Sequence, residues 1–452
     1  MKKYNLFIVI LIVLCSIFTT SLSAQWLETT ISVGNYPCAL AWNSTNNKIY
    51  CANYYSASVT VIDGANNSII TAISVGIGPF ALVWNSQNNK VYCANLGSDN
   101  VTIIDGTSNA VIATVPVGTQ PYALCWNSIS NKIYCANYLS GTISIIDGVT
   151  DSIITTVTIY TYCYPCALCW NSTNNKVYCV NYNWGTITII DGITDSIVTT
   201  VLVGYEPLAI CWNAINNKIY CANYGIYGIG NTMTVIDCVA NTVIVTDTVG
   251  DGPYALCWDS INNKVYCANR WNNSVTVIDG ATNVVITTIS AGSAPYALCW
   301  NSINNKVYCA NNFSASVSVI DGANNSVLTT IPVGDYPCAF CWNSIQNRVY
   351  VANYNDSTVS VIRDSIVSGI EENHSLHIAN CISLDVFPNP IKSLTAIHYS
   401  LPAESQVSLL LYDISGRLVK TLVNKQKKQG NLLNKSQCQN SFCRYLFSVL
   451  TD

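Results

Sequence analysis

The chain has 452 residues, of which 50% are hydrophobic and 10% charged, and its formal net charge is −4. Past the N-terminus no apolar run reaches the roughly 18 residues that a spanning helix needs, which excludes a helical membrane protein and leaves no transmembrane span in a mature chain. No Lys/Arg cluster stands within the repeated part of the sequence, so nucleic acid, which requires a basic footprint, is set aside as a partner.

Residues 1–24 read as a signal peptide. Lys2 and Lys3 form a basic start, Leu6 to Phe18 an apolar stretch and Ser21 to Ala24 a small-residue exit. Cleavage after Ala24 leaves Gln25 first. Cys15 is preceded by Leu14, which is too bulky for a lipoprotein site.

From residue 25 to 363 the chain is an internal repeat. Trp recurs at 42, 84, 126, 170, 212, 258, 300 and 342, spaced by 42 residues except for one step of 44 and one of 46. A Tyr follows each Trp by eight residues, from Tyr50 to Tyr350. An Asp follows the Tyr by 13 residues in most units; Asp237 comes later, and Arg363 stands in its place in the last. One unit, PYALCWNSINNKVYCANNFSASVSVIDGANNSVLTTIPVG, parses into four strands. PYALCW and KVYCAN are joined by an Asn-rich turn, and SVSVID and SVLTTIPV by an Asp-Gly turn. Four short strands per roughly 42 residues is the period of a propeller blade.

Trp26 to Gly34 (WLETTISVG) matches only the fourth strand, and the last unit supplies only the first three. The N-terminal strand is therefore expected to complete the last blade. The expected fold is all-β: an eight-bladed β-propeller of four-stranded blades, with seven blades and a spare unit as the alternative. The unit resembles the YVTN-type propeller repeat, with KVYCAN in the place of the strand that gives that family its name and VSVIDG after it. That resemblance implies a secreted, periplasmic or surface-layer protein and carries no single activity with it.

Residues 364–384 are polar and irregular, and read as a linker. Residues 385–452 open with FPNP at Phe387 to Pro390, then IHYSLP, then LYDISGRLVKTL at Leu411 to Leu422. These motifs resemble the C-terminal sorting domain of proteins exported by the type IX secretion system. The resemblance implies a small β-sandwich, here partial, and a partnership with that secretion machinery. After Lys425 the sequence departs from the family pattern.

The 22 cysteines fall mainly just before the Trp or just after the Tyr. Those two positions are expected to face each other on adjacent strands. Five blades carry both, whereas the other three put Ala41, Val83 or Val351 at one of them. Free interchange with Ala and Val reads as a small buried hydrophobe; cross-strand disulfides in the five paired blades and metal binding are the alternatives. Cys163, Cys166 and Cys169 have CxxCxxC spacing, but strand alternation is expected to put Cys166 and Cys169 on opposite faces.

The chain's three His, at 374, 377 and 398, all lie outside the repeats, which leaves the propeller without a histidine base or ligand. The repeated Asp reads as a turn acceptor, and the repeated Trp and Tyr as core. What breaks the repeat is two insertions, TIYTYCYP before the fourth unit and YGIYGIGNT inside the fifth. Near them stand the non-repeating residues Trp184, Tyr205, Glu206, Tyr224, Tyr227, Asp251, Arg270 and Trp271. Aromatic platforms with a few polar groups suit a glycan or protein ligand. The expectation is a secreted or cell-surface binding module, monomeric, with no cofactor, metal or catalytic residues. A structural envelope or surface-layer component is the alternative, and a propeller lactonase- or lyase-like enzyme a third.

Overall fold

A computed structural model describes residues 25–364 and the strand backbones between 384 and 451. The expected signal peptide, and all but the two ends of the expected linker, lie outside the described residues. The chain divides into two compact units, Met1–Ile366 and Val367–Asp452.

Unit one contains eight four-stranded antiparallel sheets in sequence order. Blade 1 runs Pro37–Asn43, Lys48–Asn53, Ser58–Asp63 and Ile69–Ser74. The next six blades repeat this plan. Blade 8 takes three strands from the last repeat, Pro337–Asn343, Arg348–Asn353 and Thr358–Asp364, and its outer strand from the N-terminus, Gln25–Ser32. That strand runs antiparallel to Thr358–Asp364, from Gln25 opposite Asp364 to Ser32 opposite Thr358. Each inner strand packs on the next around the ring, and the inner strand of blade 8 packs on that of blade 1. The ring therefore closes at eight blades.

The core lies between blades. In one such layer Tyr50, Val59, Val61 and Ile73 of blade 1 meet Val91, Cys93 and Ile104 of blade 2, with Leu82 and Trp84 against them. All eight repeat tyrosines, from Tyr50 to Tyr350, are fully buried. Burying each large side chain stabilises the fold by about 1.5–3 kcal/mol.

The register corrects the expectation for the cysteines. In blade 3 Cys125 stands opposite Tyr134, and Cys135 opposite Leu124. Directly opposed residues share a face and sequence neighbours alternate, so the two thiols point to opposite faces. A cross-strand disulfide within the blade is excluded by this geometry. Cys125 packs instead in one inter-blade cluster with Cys179 of blade 4. Cys166 and Cys169 also depart from expectation. The pairing shifts between Pro165 and Ala167, which resets the alternation. Both thiols then pack in the same cluster between blades 4 and 5. Every cysteine among the described residues is a free thiol.

Two faces follow from the strand ends. On one, the Asp-Gly turn is tied to the Asn-rich turn of its own blade, as in Gly64 N–H to Asn47 O at 2.8 Å. The Asp carboxylate accepts backbone N–H groups in that turn, as Asp105 does from Thr107 and Ser108, which is the role read from the sequence. The same face is stitched from blade to blade. Asn43 Nδ2 donates to Asn89 Oδ1 at 2.7 Å, Asn85 to Asn131 likewise, and Asn343 to Asn47 at 2.8 Å across the closure. Lys48 Nζ reaches Gly106 O and Thr107 O of the next blade, both at 2.9 Å. In blade 8, where Arg363 stands at the repeat Asp position, the next residue, Asp364, gathers side-chain donors at the seam. It is buried and accepts from Gln25 at 2.8 Å, Asn301 at 2.6 Å and Lys306 at 2.9 Å.

The second unit contains two three-stranded antiparallel sheets. One holds Leu384–Phe387, Leu394–Leu401 and Gly430–Gln437; the other Leu418–Lys427, Ser405–Tyr412 and Leu446–Thr451. The segment after Lys425 that departs from the family pattern thus adds a strand to each sheet.

Candidate functional site

The opposite face is built from the loops between second and third strands and from those leading into each new blade. The two loop types are clipped together by one repeated bond. The residue after the second strand donates its N–H to the carbonyl of the residue before the inner-strand proline. Tyr54 to Tyr36, Tyr138 to Gln120, Tyr224 to Glu206 and Arg270 to Gly252 are examples, at 2.8–3.0 Å. The pre-proline residue has positive φ in every blade, and in six it is not glycine: Tyr36, Gln120, Tyr164, Glu206, Ala294 and Tyr336. That conformation is costly for a residue with a Cβ and is held here by the loop clip. Such strain gathers at functional sites.

The clip fixes two rings of eight side-chain positions around the channel mouth. The lower ring follows the proline: Cys38, Phe80, Tyr122, Cys166, Leu208, Tyr254, Tyr296 and Cys338. The upper ring follows the second strand: Tyr54, Leu96, Tyr138, Tyr182, Tyr224, Arg270, Asn312 and Tyr354. A cavity of about 320 Å³ opens here, lined by Tyr122, Tyr138, Cys166, Tyr182, Leu208, Tyr224, Tyr254 and Arg270. Its rings and their neighbours touch in two runs. Phe80 and Tyr122 have centroids 4.5 Å apart, Tyr122 and Tyr138 5.3 Å, Tyr224 and Tyr254 5.7 Å, and Tyr254 and Tyr296 4.4 Å.

The residues singled out by sequence divide into two groups. Tyr224 and Arg270 line the cavity. Glu206 adjoins it, its carboxylate accepting the Tyr182 hydroxyl at 2.8 Å. Trp271 joins through Tyr224, to whose hydroxyl its Nε1 donates at 3.2 Å. Its ring is seated by two glycines of positive φ. A Cβ at Gly252 would lie 2.3 Å from Trp271 Cδ1, and one at Gly228, in the blade-5 insertion, 2.6 Å from its Nε1. The others stand out on the rim. Trp184 is 50% exposed and stacks on Tyr160 of the other insertion at 5.2 Å, while Tyr205 and Tyr227 are 73% and 91% exposed. Asp251 is exposed, its N–H bonded to the Asn272 side chain.

Sequence reasoning missed the repeat-borne members of the lining, Tyr122, Tyr138, Tyr182 and Tyr254, and Tyr296 beside them. They sit inside the repeat and read as strand ends. A signal was available: in units otherwise nearly identical, these two positions vary among Cys, Phe, Leu, Tyr, Arg and Asn.

Burial raises the phenols of Tyr122, Tyr138 and Tyr254 above their ordinary value. For Tyr182 burial is the first cause, with Glu206 adding to it. These four phenols therefore stay protonated at physiological pH and present ring faces and hydroxyl donors. Cys166 is also held as a thiol, its pKa pushed up to about 12 by burial. Among the described residues no group of three or more His, Cys, Asp or Glu is arranged to hold a metal ion, and no helix is long and apolar enough to cross a membrane.

Residues 29–346 match the family model described as YNCE-like beta-propeller, and residues 385–440 match the secretion system C-terminal sorting domain. Among solved structures, Saccharomyces cerevisiae Sqt1 is similar at 9% identity with a TM-score of 0.65, covering 75% of this chain and 98% of that one. Kuenenia stuttgartiensis hydrazine synthase is similar at 17% identity with a TM-score of 0.53, covering 66% of this chain and 99% of that one. At these identities the likeness is one of fold. A search of curated proteins finds no match. The sorting domain makes the protein a secreted or cell-surface one, handled by the type IX secretion system.

Proposed function

The chain belongs to the YNCE-like β-propeller family, and from that premise we propose that it is a non-enzymatic binding module that holds a glycan at the aromatic mouth of its funnel. The observation that carries this reading is the set of aromatic rings that lines the cavity, with half-exposed Trp184 and Trp271 beyond it. Flat apolar rings edged with hydroxyl donors suit the C–H faces and hydroxyls of pyranose sugars. A hydrolytic or lyase role finds little support. The propeller contains no His, and Glu206, the carboxylate beside the cavity, is engaged by Tyr182.

A glycan array and a cell-wall pulldown test the reading with the full chain and a Trp184→Ala/Trp271→Ala variant. The expected result is binding that falls at least tenfold in the variant. Binding unaffected by the double substitution, or none at all, overturns it. A second reading, a structural envelope component, is favoured by the propeller's rim. The outer strands open with exposed aliphatic pairs, such as Ile69/Ile70, Val111/Ile112 and Val327/Leu328. Their outer edges are unpaired and nearly free of the charges that usually guard a sheet edge.

A further inference from the structure

Ten Lys and Arg residues lie between 25 and 364. Eight of them open second strands, from Lys48 to Arg348, and serve the turn face, as Lys90 does with Asp151, Lys132 with Asp195 and Arg348 with Glu28. Arg363 stands near the end of a third strand on that same face. Arg270 alone faces the funnel. Its guanidinium carbon lies 5.1 Å from the ring centroids of Tyr254 and Tyr296, 5.3 Å from Trp271 and 5.4 Å from Phe313. No described carboxylate pairs with it, and its buried Nε has no hydrogen-bond partner. The next position on the upper ring is Asn312, which is 3% exposed and whose Oδ1 is also unpartnered. These two residues form a polar notch in a ring otherwise made of Tyr and Leu.

Aromatic faces offset the charge of a guanidinium but accept no ordinary N–H···O bond, so its planar donor fork remains free. That fork matches a carboxylate bidentately. Arg270 is half-buried, and its buried, unspent Nε beside a cavity is costly unless a ligand uses it. We infer that Arg270 is the receptor for the carboxylate of an acidic saccharide, of the uronic acid type, whose ring lies on Tyr254 and its neighbours. The inference rests on the glycan-binding reading above and specifies the class of sugar. A single cation is too few for a nucleic-acid strand, which needs a charged groove along the backbone. An extended peptide finds no open strand edge at the mouth, because the loop clips occupy the backbone donors there.

The test is calorimetric titration of the full chain with a galacturonic acid oligomer, its methyl ester, a neutral galactose oligomer and an acidic peptide. Arg270→Gln and Arg270→Lys are measured beside the parent, with circular dichroism to confirm that each variant folds. The acidic oligomer is expected to bind at least tenfold more tightly than its ester. Arg270→Gln should weaken it about 10- to 100-fold and weaken the neutral oligomer far less, with Arg270→Lys in between. Equal binding of acid, ester and neutral forms, indifferent to Arg270, overturns this inference and leaves the glycan reading standing. Binding of the acidic peptide alone overturns the saccharide. No binding of any probe overturns both.

Discussion

The two faces of the propeller are made by the same repeat and differ in what they conserve from blade to blade. On the turn face, seven of eight inner strands end in Asn and donate to an Asn of the next blade, with Asp259 as the exception. On the funnel face the backbone clip repeats eight times, but the side chains mounted on it do not. The lesson is a division of labour. A position that bonds to the neighbouring blade is held nearly constant, because each blade both donates and accepts there. A position that faces the channel meets its neighbours through ring contacts rather than a shared hydrogen bond, and varies. Stability is therefore written in the repetition, and the proposed binding site lies among its exceptions.

If that division is right, the core and turn face should govern unfolding and the rim should not. The largest effect is expected from alkali. Burial raises the thiol of Cys166 from 9.0 to about 12 and the phenol of Tyr50 from 10.0 to about 12, and it pushes Cys51 and Cys221 up further. The unfolded chain loses these protons first. Their contribution is present in full below about pH 9 and is lost as pH rises through about 12. Denaturant midpoints should hold from pH 7 to pH 9 and then fall steeply. A flat profile to pH 11 would mean the thiols are not buried as described.

Asp364→Ala comes next. It removes the common acceptor of Gln25, Asn301 and Lys306 at the seam of the ring, and should cost about 3–5 kcal/mol in equilibrium unfolding. Asp259→Asn tests the Asn ring in the opposite direction. Asn262 Nδ2 now serves Asn305 Oδ1 in place of the inner-strand side chain. Restoring the amide should stabilise by about 0.5–1.5 kcal/mol, and a loss of stability would show that the carboxylate is the better fit. Tyr227→Ala on the exposed rim should change stability by no more than about 0.5 kcal/mol; a larger loss would put the insertion loop into the fold rather than the site.

The repeat itself settled more than is usual from one chain. The Trp and Tyr spacing marked the eight units, and the unpaired WLETTISVG segment marked how the ring closes, because a four-strand period leaves one strand over at one end and one missing at the other. The turn role of the Asp and the core role of Trp and Tyr followed from the same spacing. The tertiary structure decided what depends on a single residue of register or on curvature. Register put Cys125 and Cys135 on opposite faces, since one step along a strand reverses the side of the sheet. Closure of the ring brought Tyr122 and Tyr138 of the third blade, Tyr182 of the fourth and Tyr254 of the sixth into one cavity with Arg270. No local pattern encodes that meeting, because the distance between these side chains is set by the number of blades around the channel and not by the chain between them.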